Sequence, residues 1–200
     1  MIFNVLELES QEKYRLLNGG VTPRPIAWIS TRSGDNVDNL APYSFFTVAS
    51  CNPPVLLYTQ VTQRSGIDKD TLQNLIDTGE CVVNIVNTAL LEKMNATSAN
   101  INMNESEFDF ADVDSCSSYK VMPRSVKDSP IRYECTLREI IPISDLPTGG
   151  TLILLDVKFV YVRDDLYDKG NINQQLVDSV GKMGGDHFSL TSKNIELNRP

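Results

Sequence analysis

β-Branched and aromatic residues gather in six runs: Ile26–Thr31, Ala41–Ser50, Val55–Gln60, Cys81–Asn87, Ile131–Ile141 and Thr151–Arg163. Each is bounded by Gly, Pro or Asn, and runs of this make-up between turn formers predict strands. In the last run, part of Val157–Arg163 alternates apolar and polar residues, the period of a strand with one face in water. Ser33–Asn39, SGDNVDN, is built of residues that tolerate positive φ, so the first two strands are joined by a hairpin and run antiparallel. Helical signals are fewer: Thr71–Thr78, stopped by Gly79, roughly Ala89–Ala96, and a turn around Glu105–Phe108. Many moderate strands with few helices predict a mainly β, α+β fold, a closed antiparallel barrel with helical additions, because closure removes exposed edges. The alternating βαβ pattern and any GxGxxG are absent, so a bound nicotinamide nucleotide would not rely on a Rossmann sheet. No repeat, low-complexity tract or linker divides the chain, and one domain over residues 1–200 is expected.

The stretch from Asn39 to Pro54, NLAPYSFFTVASCNPP, breaks the simple pattern, being aromatic and apolar yet studded with polar side chains. Asn39, Tyr43, Ser44, Thr47, Ser50 and Asn52 would each need a partner if buried, since an orphaned polar group costs about 1–3 kcal/mol. Two readings stand: a strand with a wet polar side, or a strand lining a pocket for a flat, heteroatom-rich ligand that apolar surface grips and polar groups orient.

Three further segments carry candidate chemistry. Arg64–Thr71, RSGIDKDT, precedes a helix that Asp70 or Thr71 can cap, Asp70 with Gln73 resembling a capping box. A helix start offers free N–H groups and partial positive charge, which suits a phosphate, and Arg64, Lys69, Ser65 and Thr71 could complete such a site. An ordinary capped helix explains the same octet. Thr22–Thr31 enters a strand through Pro23 and Pro25, where Arg24 could steer an anion or pair with an acid, and Trp28 reads as core. Gly181–Phe188, GKMGGDHF, brackets Lys182 with glycines beside His187, the only histidine. Such a loop could cover a ring at a pocket mouth or simply turn the chain, and His187 is a weak proton-donor candidate.

Composition narrows the field. With 26 acidic against 18 basic residues and a net charge of −8, the chain lacks an electrostatic footprint for nucleic acid, and a phosphate ligand needs a local cationic pocket. The N-terminus has no secretory pattern and the apolar runs are too short to cross a bilayer, so a soluble cytoplasmic protein is expected. The sequons at Asn95 and Asn104 then carry no meaning. Cys51, Cys81, Cys116 and Cys135 are scattered without a CxxC pair, which argues against a metal site; Cys81 and Cys135 read as core.

Taken in order, PRPIAWIST at Pro23–Thr31, NLAPYSFFTVAS at Asn39–Ser50, Pro53-Pro54, KDT at Lys69–Thr71, ECVVNIV at Glu80–Val86, Glu134-Cys135, GKMGGDHF and the closing Asn198-Arg199-Pro200 resemble the flavin reductase-like, FMN-binding split-barrel family that includes flavoredoxins. The resemblance implies a split barrel, a homodimer, and FMN held noncovalently near the subunit interface. It places Asn39, Ala41, Pro42, Tyr43, Ser44, Phe45, Phe46 and Ser50 along the isoalloxazine, with the Tyr43–Phe46 backbone and the Ser44 hydroxyl on its polar edge. Lys69, Asp70 and Thr71 would hold the phosphate, helped by Arg64. Thr31, Asn84 and Ser98 would lie near the cofactor. Where the family pattern reads close to RxGG-Y, this chain has Lys182 and Phe188, and Lys loses the planar bidentate fork of Arg. The implied chemistry belongs to the flavin, with NADH or NADPH as donor and no obligatory acid–base residue. A flavoredoxin-like carrier with a redox protein partner and a non-enzymatic ligand-binding barrel are the alternatives.

Overall fold

A computed structural model describes residues 1–62 and 70–198. In chain order, α1 (Ser10–Gly20) leads into β1 (Arg24–Pro25), β2 (Ala27–Arg32), β3 (Asp38–Tyr43), β4 (Phe46–Cys51) and β5 (Pro54–Val61). Next come α2 (Asp70–Thr78), β6 (Glu80–Ile85), a 3-10 turn at Thr88–Leu90, α3 (Leu91–Ala96) and α4 (Glu107–Phe110). Short β7 (Ser115–Cys116) and β8 (Ser125–Val126) precede the long β9 (Ile131–Pro142) and β10 (Gly150–Val162). The chain closes with β11 (Tyr167–Asp168), β12 (Asn171–Ile172), α5 (Gln174–Val177), β13 (Val180–Lys182) and β14 (Phe188–Leu190).

Seven strands form one antiparallel sheet in the order β3-β2-β6-β9-β10-β5-β4, and β1, β13 and β14 form a smaller one. The mainly β character with a few helices is as the sequence predicts, but no ladder joins edge strands β3 and β4, so the sheet is not closed by pairing among the described residues. Two register shifts, between Leu154 and Leu155 and between Val157 and Phe159, punctuate the β9–β10 ladder. Bulges of this kind bend a strand and increase its twist.

Alternation along β2 sorts the core. Ala27 and Ile29 pack on one face with Tyr43, Tyr58, Cys81, Cys135 and, from α2, Leu72 and Leu75. Trp28 points to the other face, among Leu40, Met94 of α3 and Phe108 of α4. Its indole N–H donates to the Thr97 hydroxyl at 2.9 Å, the polar handle a buried tryptophan needs.

The sequence reading needs two corrections. Ala41–Ser50 is not one strand: Tyr43 ends β3, Phe46 begins β4, and Ser44-Phe45 turns between opposite edges of the sheet. α1 was not predicted at all, because its apolar Tyr14, Leu16 and Leu17 are exposed and only Asn18 is buried, leaving no core-facing stripe in the pattern. A reciprocal capping box between Glu9 and Glu12 starts it instead. The hairpin at Ser33–Asn39 is present, with Asn36 at φ 64, and Gly79 at φ 73 follows α2. The turn expected near Glu105 is the start of α4.

Candidate functional site

The two edge strands of the large sheet are consecutive in sequence, so they meet at one corner. Tyr43 pairs with Ala27 at the end of the β2–β3 ladder, and Phe46 pairs with Tyr58 at the start of the β4–β5 ladder. Ser44 and Phe45 belong to neither, although the Phe45 carbonyl accepts from the Thr59 N–H at 2.8 Å. Ser44, Phe45 and Phe46 are half-buried, while the Tyr43 and Tyr58 rings are buried with their centroids 4.7 Å apart. Burial pushes the Tyr43 phenol well above its ordinary pKa, so it stays neutral.

Arg24 underpins this corner. Its Nε donates to the Ser44 hydroxyl at 3.3 Å, Nη1 to the carbonyls of Asn18 and Val21 at 2.7 and 2.8 Å, and Nη2 to the Met183 carbonyl at 3.2 Å. The guanidinium carbon sits 5.7 Å from the Phe45 ring centroid. These partners are a hydroxyl and carbonyls, so the salt bridge considered for Arg24 is not formed among the described residues. Two of the carbonyls belong to the C-terminal end of α1, where a cation is favoured. Directly across the β1–β13 ladder stands Lys182, whose Nζ donates to the Gly185 carbonyl at 2.6 Å and lies 4.1 Å from the Phe188 ring centroid. Burial, and then Arg24, lower its pKa, while Asp186 opposes the shift. Like charges directly opposite each other on a ladder repel, so this corner is a locally cationic spot on an acidic chain.

Toward the other end of β3 lies a buried polar cluster. The Asn39 carbonyl oxygen accepts from Thr31 Oγ1 at 3.2 Å and from Thr71 Oγ1 at 2.8 Å, and Asn74 Nδ2 donates to Thr31 Oγ1 at 3.0 Å. Asn39 Nδ2 donates to both carboxylate oxygens of Glu107, at 3.1 and 3.0 Å, and the Leu40 N–H donates to Glu107 Oε2 at 2.9 Å. Residues from β2, β3, α2 and α4 are thus joined through one amide. Glu107 and Asn74 escaped the sequence reading because nothing in their local pattern marks them; only the contact of α4 and α2 with β3 gives them a role.

The remaining expected positions spread out. Ala41 and Pro42 lie in β3, Ser50 near the end of β4, and Asp70 at the start of α2. Asn84 is fully buried, donating to the Trp28 carbonyl at 2.9 Å and accepting from the Val126 N–H at 2.9 Å, which ties β8 to β6. Ser98 is exposed, with its hydroxyl on the Asn95 carbonyl. His187 is exposed at the turn between β13 and β14, where its carbonyl accepts from the Met183 N–H at 2.9 Å. Arg64, Lys69 and the closing Arg199 and Pro200 lie outside the described residues. No group of three or more His, Cys, Asp or Glu suits a metal among the described residues, and no described helix is long and apolar enough to cross a membrane.

A sequence profile of the flavin reductase like domain matches residues 19–183. Among solved structures, nitrilotriacetate monooxygenase component B from Bacillus cereus superposes with a TM-score of 0.93 at 31% identity, covering 98% of each chain. A 2-nitrobenzoate 2-nitroreductase from Pseudomonas fluorescens gives 0.89 at 28% identity, covering 100% of this chain and 96% of that one. The flavoredoxin of Desulfovibrio vulgaris (Miyazaki F) shares the fold, with a TM-score of 0.75 at 17% identity over 88% of this chain and 91% of that one.

Proposed function

The chain belongs to the flavin reductase-like family, and from that premise we propose that it is an FMN-binding oxidoreductase that moves electrons from NADH or NADPH to flavin or onward to an acceptor. The observation that carries the reading is the Ser44–Phe46 corner, where half-buried aromatic side chains and backbone outside the two ladders meet above a guanidinium. Apolar surface with a few placed polar groups suits a flat heteroaromatic ring. When bound, FMN supplies the hydride and electron chemistry, which is why no protein acid–base group is required.

The chain's own residues bind and orient. The backbone of Tyr43–Phe46 and the Ser44 hydroxyl, steadied by Arg24, face the polar edge of the ring, with Asn39, Ala41, Pro42 and Ser50 along the same stretch. Phe45 and Phe46 keep water from its face. Lys69, Asp70 and Thr71, with Arg64, hold the phosphate at the start of α2. Because the Thr71 hydroxyl is committed to Asn39, we assign the phosphate to the backbone N–H groups of the first turn of α2 rather than to that hydroxyl. Thr31 and Asn84 support the strands beneath, Ser98 approaches from the end of α3, and Lys182 adds positive charge. Flavin and nicotinamide nucleotide are the partners, and a homodimer in the cytoplasm is the working assembly.

The test is a visible spectrum followed by anaerobic titration with each nucleotide. A yellow protein bleached by NADH or NADPH is expected. A flavin that neither nucleotide reduces, while a redox protein does so rapidly, replaces the reductase with a flavoredoxin-like electron carrier. Protein that lacks flavin absorption and fails to bind added FMN is a non-enzymatic ligand-binding barrel.

A further inference from the structure

Glu107 is a carboxylate without a salt-bridge partner among the described residues, and it is only 6% exposed. Burying an anion without a cation is costly, and a glutamine would fill the same volume uncharged. The difference between them is acceptor capacity. Three contacts converge on this group: two from Asn39 Nδ2 and one from the Leu40 N–H. A carboxylate accepts at both oxygens, whereas an amide accepts at one and donates at the other.

The Leu40 N–H can only donate, so the oxygens of Glu107 set the polarity of everything beyond them. Asn39 must turn its amino group toward Glu107, which leaves its carbonyl oxygen facing Thr31 and Thr71. Thr71 lies in the first turn of α2 and Asn39 in the edge strand β3. We propose that Glu107 is a positioning residue for the flavin site: by fixing the orientation of the Asn39 amide, it sets where the start of α2 stands against β3. This rests on the flavin reading above, in which β3 runs along the ring and the start of α2 holds the phosphate. Glu107 acts on the site through Asn39 and Leu40, the β3 residues it holds.

E107Q tests the polarity directly, because whichever way the glutamine amide turns, its amino group meets a donor: Asn39 Nδ2 at the Oε1 position, or Asn39 Nδ2 and the Leu40 N–H at the Oε2 position. Dissociation constants for FMN and for riboflavin, which lacks the phosphate, are measured by flavin fluorescence alongside a thermal melt. E107Q is expected to weaken FMN about tenfold, the equivalent of about one hydrogen bond, with a smaller loss for riboflavin. N39D/E107Q restores an acceptor to Thr31 and Thr71 and a donor–acceptor match between positions 39 and 107, and is expected to recover FMN affinity to within about threefold of the parent. Thr71→Val leaves the carboxylate in place, removes the hydroxyl donor, and is expected to lose FMN affinity as E107Q does.

Unchanged FMN affinity in E107Q or Thr71→Val, equal losses for both flavins, or no recovery in a folded double variant each overturns the proposal. A parent protein that binds neither flavin overturns the flavin reading and this inference with it, and that result is visible before any variant is made.

Discussion

The two halves of Asn39–Ser50 sit on opposite edges of the same sheet and live in different environments. In β3, Asn39, Ala41 and Tyr43 are buried, and the Asn39 amide is used on both sides by Glu107, Thr31 and Thr71. In β4, Thr47, Val48 and Ala49 are exposed, Val48 at 59%, and Ser44 and Phe45 lie outside the ladders that flank them. The first half uses polar side chains to bind helices to the sheet. The second holds its shape through its ladder with β5 and through Arg24, and leaves surface for a ligand or partner. A polar residue in an apolar run therefore has two unrelated uses, and the partner it meets decides which.

Breaking the corner's support should have the largest effect. Arg24→Ala removes donors to Ser44 and to the carbonyls of Asn18, Val21 and Met183. Its loss is expected to destabilise the protein by about 3 kcal/mol, since hydrogen bonds to charged groups contribute about 1.5–3 kcal/mol each and do not add fully. Urea denaturation measures this, and a change below about 0.5 kcal/mol, the scale of an ordinary surface substitution, would remove Arg24 as an anchor.

The helix side is tested by Lys69→Ala with Thr71→Ala. FMN binding is expected to weaken by about 2 kcal/mol, roughly thirtyfold, while the circular dichroism spectrum stays that of the parent. Unaltered affinity would remove the Lys69 and Thr71 side chains from the phosphate site.

The exposed half should tolerate change. Val48→Lys is expected to shift stability by less than about 0.5 kcal/mol. Size-exclusion chromatography of parent and variant sharpens the picture: if the parent elutes as the proposed dimer, a shift to monomer in the variant would make β4 part of the subunit contact.

The smallest effect is a slope with pH. Burial above all holds the Glu107 carboxyl above its ordinary 4.5 despite the donors from Leu40 and Asn39. The folded state then binds this proton more tightly than the unfolded chain, so the contribution is fullest below about 4.5 and is lost as pH rises through the folded value. Denaturation midpoints of the parent and E107Q between pH 4 and 7 read it out, and identical slopes would place Glu107 closer to water than its burial indicates.

Much of the fold was legible because strand composition and turn formers are local signals. The Ser33–Asn39 hairpin and the ends of α2 follow from residues that take positive φ or stop a helix, and five of the six strand runs each fall on one observed strand, the sixth, Ala41–Ser50, being split between β3 and β4. α1 was illegible because it starts by capping and buries almost nothing apolar, so its pattern carries no period. The break at Ser44-Phe45 was illegible because both sides of it are good strand residues, and a change of ladder partner leaves no mark in composition.

The sequence alone determined the family, the mainly β character and the segments where a flavin would be sought, since those depend on which residues occur and in what order. Tertiary structure decided that β3 and β4 occupy opposite edges, that among the described residues Arg24 answers to carbonyls and Ser44 rather than to an acid, and that Asn39 meets Glu107. Each of these depends on contact between residues far apart in the chain, and hydrogen-bond polarity passes only through contact.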